Sequence, residues 1–202
     1  MLSKPLQTET SGNAGFSLLE LLIAMSITLV VMVGASTLLA TSLRTRTREN
    51  LRSNALASVQ RSLNTMSREI GNAGYGLTDN GIVVADSSAS SIRMRANLNN
   101  DASLAQADED VRFVFQSANS AIVRFDNCAT CGGNSVVLAT GVTAFTVTYL
   151  DAAGVVATPA TAERIRIDVS VNLPAGPQQP ASIVDLVSDV ALRNAPNTLQ
   201  QF

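Results

Sequence analysis

A chain of 202 residues with 46% hydrophobic content and a formal net charge of −2 has material for one ordinary domain beside any membrane segment. It contains no histidine, which excludes Ser–His–Asp and Cys–His nucleophilic arrangements and histidine-based zinc sites. The charge is also split. Residues 16–73 carry six arginines against Glu20, Glu49 and Glu69, whereas residues 74–202 carry seven against twelve acids, so the C-terminal part would repel phosphates and nucleic acid is a poor partner for it.

Residues 1–15, MLSKPLQTETSGNAG, are polar and end in glycine. A cleaved secretory signal places its apolar core ahead of the cut, whereas here a cut after Gly15 would leave the apolar segment on the mature chain. From Leu21 to Leu43 there is no charged residue. As a helix, about 23 residues span roughly 35 Å, enough to cross a bilayer core. Glu20 stands at the mouth of this run, and a carboxylate in lipid costs about 2.5–3.5 kcal/mol, so it needs a partner or a task. Beyond the run, Leu51, Ala55, Val59, Leu63, Met66 and Ile70 recur at spacings of four and three, the pattern of a one-sided helix. No proline interrupts residues 16–75, so one helix of about 55 residues is expected, closed by the GNAGYG stretch at 71–76. The alternative is a membrane helix followed by a separate one, with a bend at Gly34 and Ser36.

From about residue 81 the apolar period becomes two. DVRFVFQ and SAIVRFD, separated by a short polar turn, predict a hairpin. NSVVLAT, GVTAFTVTYL and ERIRIDVSVNL continue the series, the last with Ile165, Ile167, Val169 and Val171 on one face and Arg164, Arg166 and Asp168 on the other. NLPAGPQQPAS reads as a loop by its prolines, and SIVDLVSDVALRN as a strand whose spacing also fits a helix. Tyr75 and Phe145 are expected in the core. The fold class is therefore α+β, with an antiparallel head covered by the one-sided half of the helix. Asp101, Asp108, Glu109 and Asp110 cluster between residues 97 and 111; such oxygens suit calcium, but without EF-hand spacing a solvated acidic loop is expected. Lys4 lies outside any domain and no carboxylate pair stands in a catalytic setting, so neither enzyme activity nor a metal or cofactor is expected.

The stretch GFSLLELLIAMSITLVVMVGAS resembles the prepilin N-terminus of type IV pilins and type II secretion pseudopilins: a polar leader ending in Gly15, then Phe16, then Glu20 as the fifth mature residue, then an apolar helix. REIGNAGYG, GVTAFTVTYLDAAG and the later VALRN more weakly resemble PilW-type minor pilins. The resemblance implies a pilin-like chain with a leader at 1–15, a transmembrane and filament-core helix half at 16–43, an amphipathic half at 44–73 and a periplasmic β-rich head at 74–202. A prepilin peptidase would cut between Gly15 and Phe16 and methylate the new amine of Phe16. The chain would wait in the inner membrane, meet the assembly platform, and pass into a pilus or pseudopilus among major and minor pilin subunits. There Glu20 would meet the N-terminal amine of an adjacent subunit and set the axial register. The implied function is that of a minor pilin that helps initiate or cap a type IV pilus. A type II secretion pseudopilin is the first alternative. The second is an anchored periplasmic binding protein that never polymerises, with Glu20 at the lipid headgroups. Arg44, Arg46, Arg48 and Arg52 would by the positive-inside rule lie in the cytoplasm, whereas the leader demands the opposite orientation; the resemblance favours the leader. In the oxidising periplasm so implied, Cys128 and Cys131 of CATCGG are expected to form a short disulfide across a turn, with free thiols as the other reading.

Overall fold

The stretch without proline forms one helix, α1 (Leu18–Gly71), of 54 residues in the computed structural model. The structure describes residues 15–101, 103–128, 134–173, 175 and 180–196. The chain divides into two compact units, residues 1–47 and 48–202.

In the first unit the apolar side chains of α1 are exposed all round, from Leu18 to Leu43, and the helix is long and apolar enough to cross a membrane. Several of its hydroxyls are satisfied within the helix. Ser26 Oγ donates to Leu22 O at 2.8 Å, Thr28 Oγ1 to Ala24 O at 2.7 Å and Ser36 Oγ to Met32 O at 2.7 Å. Such back-bonding spares these donors the need for water, which a lipid environment would not supply. The helix continues unbroken through Gly34.

The second unit is built on the last turns of α1. Val59, Leu63, Met66 and Ile70 are buried, on the stripe their spacing predicts. Leu51, on the same stripe, is exposed and Ala55 only half-buried, so the cover begins a turn or two later than the sequence pattern. The glycine cluster ends the helix for a steric reason. Gly74 N–H donates to Arg95 O at 2.9 Å, and Arg95 N–H to Gly81 O at 2.7 Å, so two backbone segments lie against each other. A Cβ on Gly81 would stand 2.2 Å from Gly74 N and 2.4 Å from Arg95 O, and Gly81 has φ +73°; no other residue fits there. Tyr75, expected in the core, is 51% exposed. The fold uses its backbone instead: the Tyr75 carbonyl accepts from Asn97 N–H at 2.7 Å, and the ring turns outward.

Two antiparallel sheets follow. The first has the order β1 (Ser91–Arg95), β2 (Asp110–Gln116), β3 (Ala121–Asp126), β4 (Asn134–Thr140). The second has the order β5 (Val142–Leu150), β6 (Arg164–Leu173), β7 (Ser182–Ala191). The expected hairpin is β2–β3, with Val114 opposite Val123. The segment whose spacing also fitted a helix is strand β7, paired with β6 from Arg164 opposite Ala191 to Leu173 opposite Ser182. Ile165, Ile167, Val169 and Val171 of β6 all face the core, which also holds Phe145 and Phe113 and joins both sheets to α1. Hydroxyl groups tie the helix to each sheet: Ser62 Oγ donates to Leu138 O of β4 at 2.7 Å, and Ser67 Oγ lies 2.8 Å from Ser188 Oγ of β7.

Candidate functional site

The N-terminal site starts where the helix starts. Ser17 caps α1: its Oγ accepts from Leu19 N–H at 3.3 Å and its carbonyl from Leu21 N–H at 3.1 Å. Glu20 follows three residues later, the spacing of a capping box, in the first turn of the helix. A carboxylate there sits against the positive end of the helix dipole, an effect of about 0.3–1 kcal/mol. The Ser-x-x-Glu signal was present in the sequence and adds a local reason for Glu20 beside any intermolecular one. Gly15, Phe16 and Glu20 are all exposed, Phe16 at 82%. The first turn therefore presents to its surroundings a peptide junction, an aromatic ring and one carboxylate, ahead of an uncharged apolar surface.

A second concentration of charge lies in the head. Arg93 of β1 is buried and grips Asp110 of β2 with two bonds of 2.7 Å, Nε to Oδ1 and Nη2 to Oδ2. Its Nη1 donates to Asp86 Oδ2 at 2.6 Å. The hydrogen bond to Asp110 raises the pKa of Arg93 against the effect of burial, and the hydrogen bond from Arg93 holds the Asp86 carboxyl below its ordinary value. Arg124 of β3 donates Nε to both oxygens of Glu69, at 3.1 and 3.0 Å, and Nη2 to Asp108. Burial pushes the Glu69 carboxyl up, against the lowering pull of Arg124.

The expected solvated acidic loop holds for Asp101 and Asp108, which are exposed, and is corrected for the other two acids. Glu109 and Asp110 are 2% and 1% exposed, and Asp110 opens a strand. Four acids in fifteen residues look like surface because nothing local shows that Arg93, seventeen positions before Asp110, reaches it diagonally from the neighbouring strand. Among the described residues no group of three or more His, Cys, Asp or Glu side chains is placed to hold a metal. Cys128 is buried two residues past β3, and its N–H donates to Asp110 O at 3.0 Å; Cys131 lies outside the described residues.

Residues 10–36 match the family described as the prokaryotic N-terminal methylation motif. The matched stretch contains Gly15, Phe16 and Glu20 together with the first turns of α1. No curated protein matches the chain. The motif supports a type IV pilin-like protein, and points to a structural rather than a catalytic role. With the apolar half of α1, it fits membrane anchoring in a pilin-type topology.

Proposed function

We propose that the chain is a minor pilin that helps initiate or cap a type IV pilus. The observation that carries this reading is Glu20. It is the one acid at the mouth of an uncharged, fully exposed helical surface, five positions from a Gly–Phe junction, within the matched motif. Cleavage after Gly15 would free the amine of Phe16 for methylation, and the exposed junction leaves it open to the peptidase. The helix enters a filament core made of other pilin helices, where apolar packing replaces lipid contacts. Glu20 meets the N-terminal amine of a neighbouring subunit, and two opposite charges in apolar surroundings relieve each other only at the correct stagger. Cys128 and Cys131 close a short disulfide in an oxidising compartment. The PilW-like segments favour a minor subunit over the shaft protein. A type II secretion pseudopilin shares the motif, and deletion separates the two, since one loses pili and the other loses secretion.

The mass of the N-terminal peptide from membranes tests processing. A chain beginning at N-methylated Phe16 is expected; an intact Met1 terminus in cells with an active prepilin peptidase would overturn the reading. Glu20→Ala is expected to leave the membrane level unchanged and abolish incorporation into filaments. Normal incorporation of that variant would remove Glu20 from register setting, and a protein never found in filaments at all would leave the non-polymerising anchor.

A further inference from the structure

Between the last turns of α1 and the first sheet the head encloses a cavity of about 290 Å³. Its floor is apolar, formed by the buried side chains of Met94 and Val111. Glu69, Asp108 and Arg124 form its walls, and the exposed Arg68 stands at its rim. Glu109 also lines it and is only 2% exposed. One oxygen of Glu109 is satisfied: Oε1 accepts from Leu98 N–H at 3.0 Å and from Asn99 N–H at 3.4 Å. The other is not. No donor among the described residues reaches Oε2, which is fully buried. A buried carboxylate oxygen without a donor is costly, and native structures rarely keep one without a reason. Arg124 does not fill the need, because it is committed to Glu69 and Asp108.

We propose that this cavity binds a primary ammonium group on a short aliphatic stem, with Glu109 as its counter-ion. Three carboxylates against two guanidinium groups leave the lining negative, and Asp126, 4.0 Å from Arg124, adds to that field from behind. An ammonium carries three donors and no acceptor, which matches an oxygen that lacks only a donor. Met94 and Val111 suit the methylene stem, as amphipathic cations bury the stem and pair the head. The volume is at the low end for ligand pockets, the size of a side chain rather than a cofactor. A lysine side chain of another protein and a free alkylamine share this chemistry. The chain's own lysine is Lys4, in the leader, so under the prepilin reading a processed second copy would have none to offer. The site itself stands on the head and does not depend on that reading.

The test uses the full chain in detergent micelles with 13C-methyl-labelled methionine, reading the Met94 methyl signal while n-butylammonium chloride is added. A saturable shift is expected, absent with 1-pentanol, and about tenfold weaker in Glu109→Gln, which removes the charge partner while keeping the shape. Arg68→Ser is expected to tighten binding about twofold or more by removing a like charge at the rim. The Met66 methyl reports whether each variant keeps its core; should Glu109→Gln lose it, the direction of the Arg68→Ser effect decides. An equal response to pentanol, no response to the amine, an amine response unchanged in Glu109→Gln, or weaker binding in Arg68→Ser would each overturn the proposal. So would a stronger response to calcium chloride, which would assign the oxygens to a metal. Within a positive result, a capped Gly-Lys-Gly peptide and putrescine distinguish the source: the better binder identifies a protein side chain or a free amine.

Discussion

Leu21, Leu22, Ile23 and Met25 in the first half of α1 are exposed, whereas Leu63, Met66 and Ile70 in the second half are buried, though the residue types hardly differ. What differs is pattern. In the first half apolar residues surround the axis, and no single neighbour within the chain can cover them. In the second they form one stripe, which two sheets cover. An all-round apolar helix is stable where its whole surface is covered by lipid or by other helices, and the match to the methylation motif fits membrane anchoring. The head, by contrast, closes its own core and pairs the buried Arg93 with Asp110, leaving Glu109 as the buried carboxylate without a charged partner among the described residues.

The largest break in that comparison is expected from the pairs. Asp110→Ala leaves the buried Arg93 with Asp86 alone, and removing one partner of a buried pair typically costs about 3–5 kcal/mol. The denaturant midpoint of the full chain in detergent would fall accordingly; a change no larger than that of a surface substitution would mean that the pair contributes little. Next comes one substitution made twice. Leu63→Ala is expected to destabilise the head by about 2–5 kcal/mol, because it empties a packed site. Leu29→Ala, on the exposed half, is expected to change head unfolding by no more than about 0.5 kcal/mol. Equal effects would show that the two halves are not energetically distinct.

The smallest effect is a pH dependence with two opposite signs. The Asp86 carboxyl is held below its ordinary 3.8 in the folded state, so its contribution is present above that value and is lost as pH falls through the lowered one. Glu69 is raised above 4.5, so the folded state takes up its proton first and gains relative to the unfolded chain as pH falls through that window. Asp86→Asn should therefore flatten the loss of stability on acidification, and Glu69→Gln should steepen it. Denaturant midpoints measured across the acid range check both slopes; two wild-type profiles would show that neither carboxyl titrates differently on folding.

Much of the fold was legible because its signals are local. The helix needed only the absence of proline, the change from all-round to one-sided apolarity, and a glycine cluster. β2, β3 and β6 alternate openly. The misses have non-local causes. β1 is hard to read because SIRMR is short and two of its five residues are arginine, and Arg93 becomes a core residue only when Asp110 of the neighbouring strand pairs with it. Tyr75 looked like core because it is aromatic, yet its neighbouring glycines steer the backbone inward and the ring out. At the N-terminus, Gly15, Phe16 and Glu20 were readable as a spacing, while the Ser17 cap went unread although Ser-x-x-Glu was present.

The sequence by itself determined what one dimension can encode: where the helix runs, which half of it is apolar on every side, and the Gly-Phe-x-x-x-Glu spacing of the methylation motif. Each depends on residues within a few positions of one another. Only the tertiary structure decided which charges are buried and which cavity they line. Glu69, Glu109 and Arg124 are far apart in the chain, and only the packing of α1 on the first sheet brings them to one cavity. Whether a carboxylate meets water, an arginine or neither depends on that packing, because desolvation and pairing are properties of a place in space and not of a position in the chain.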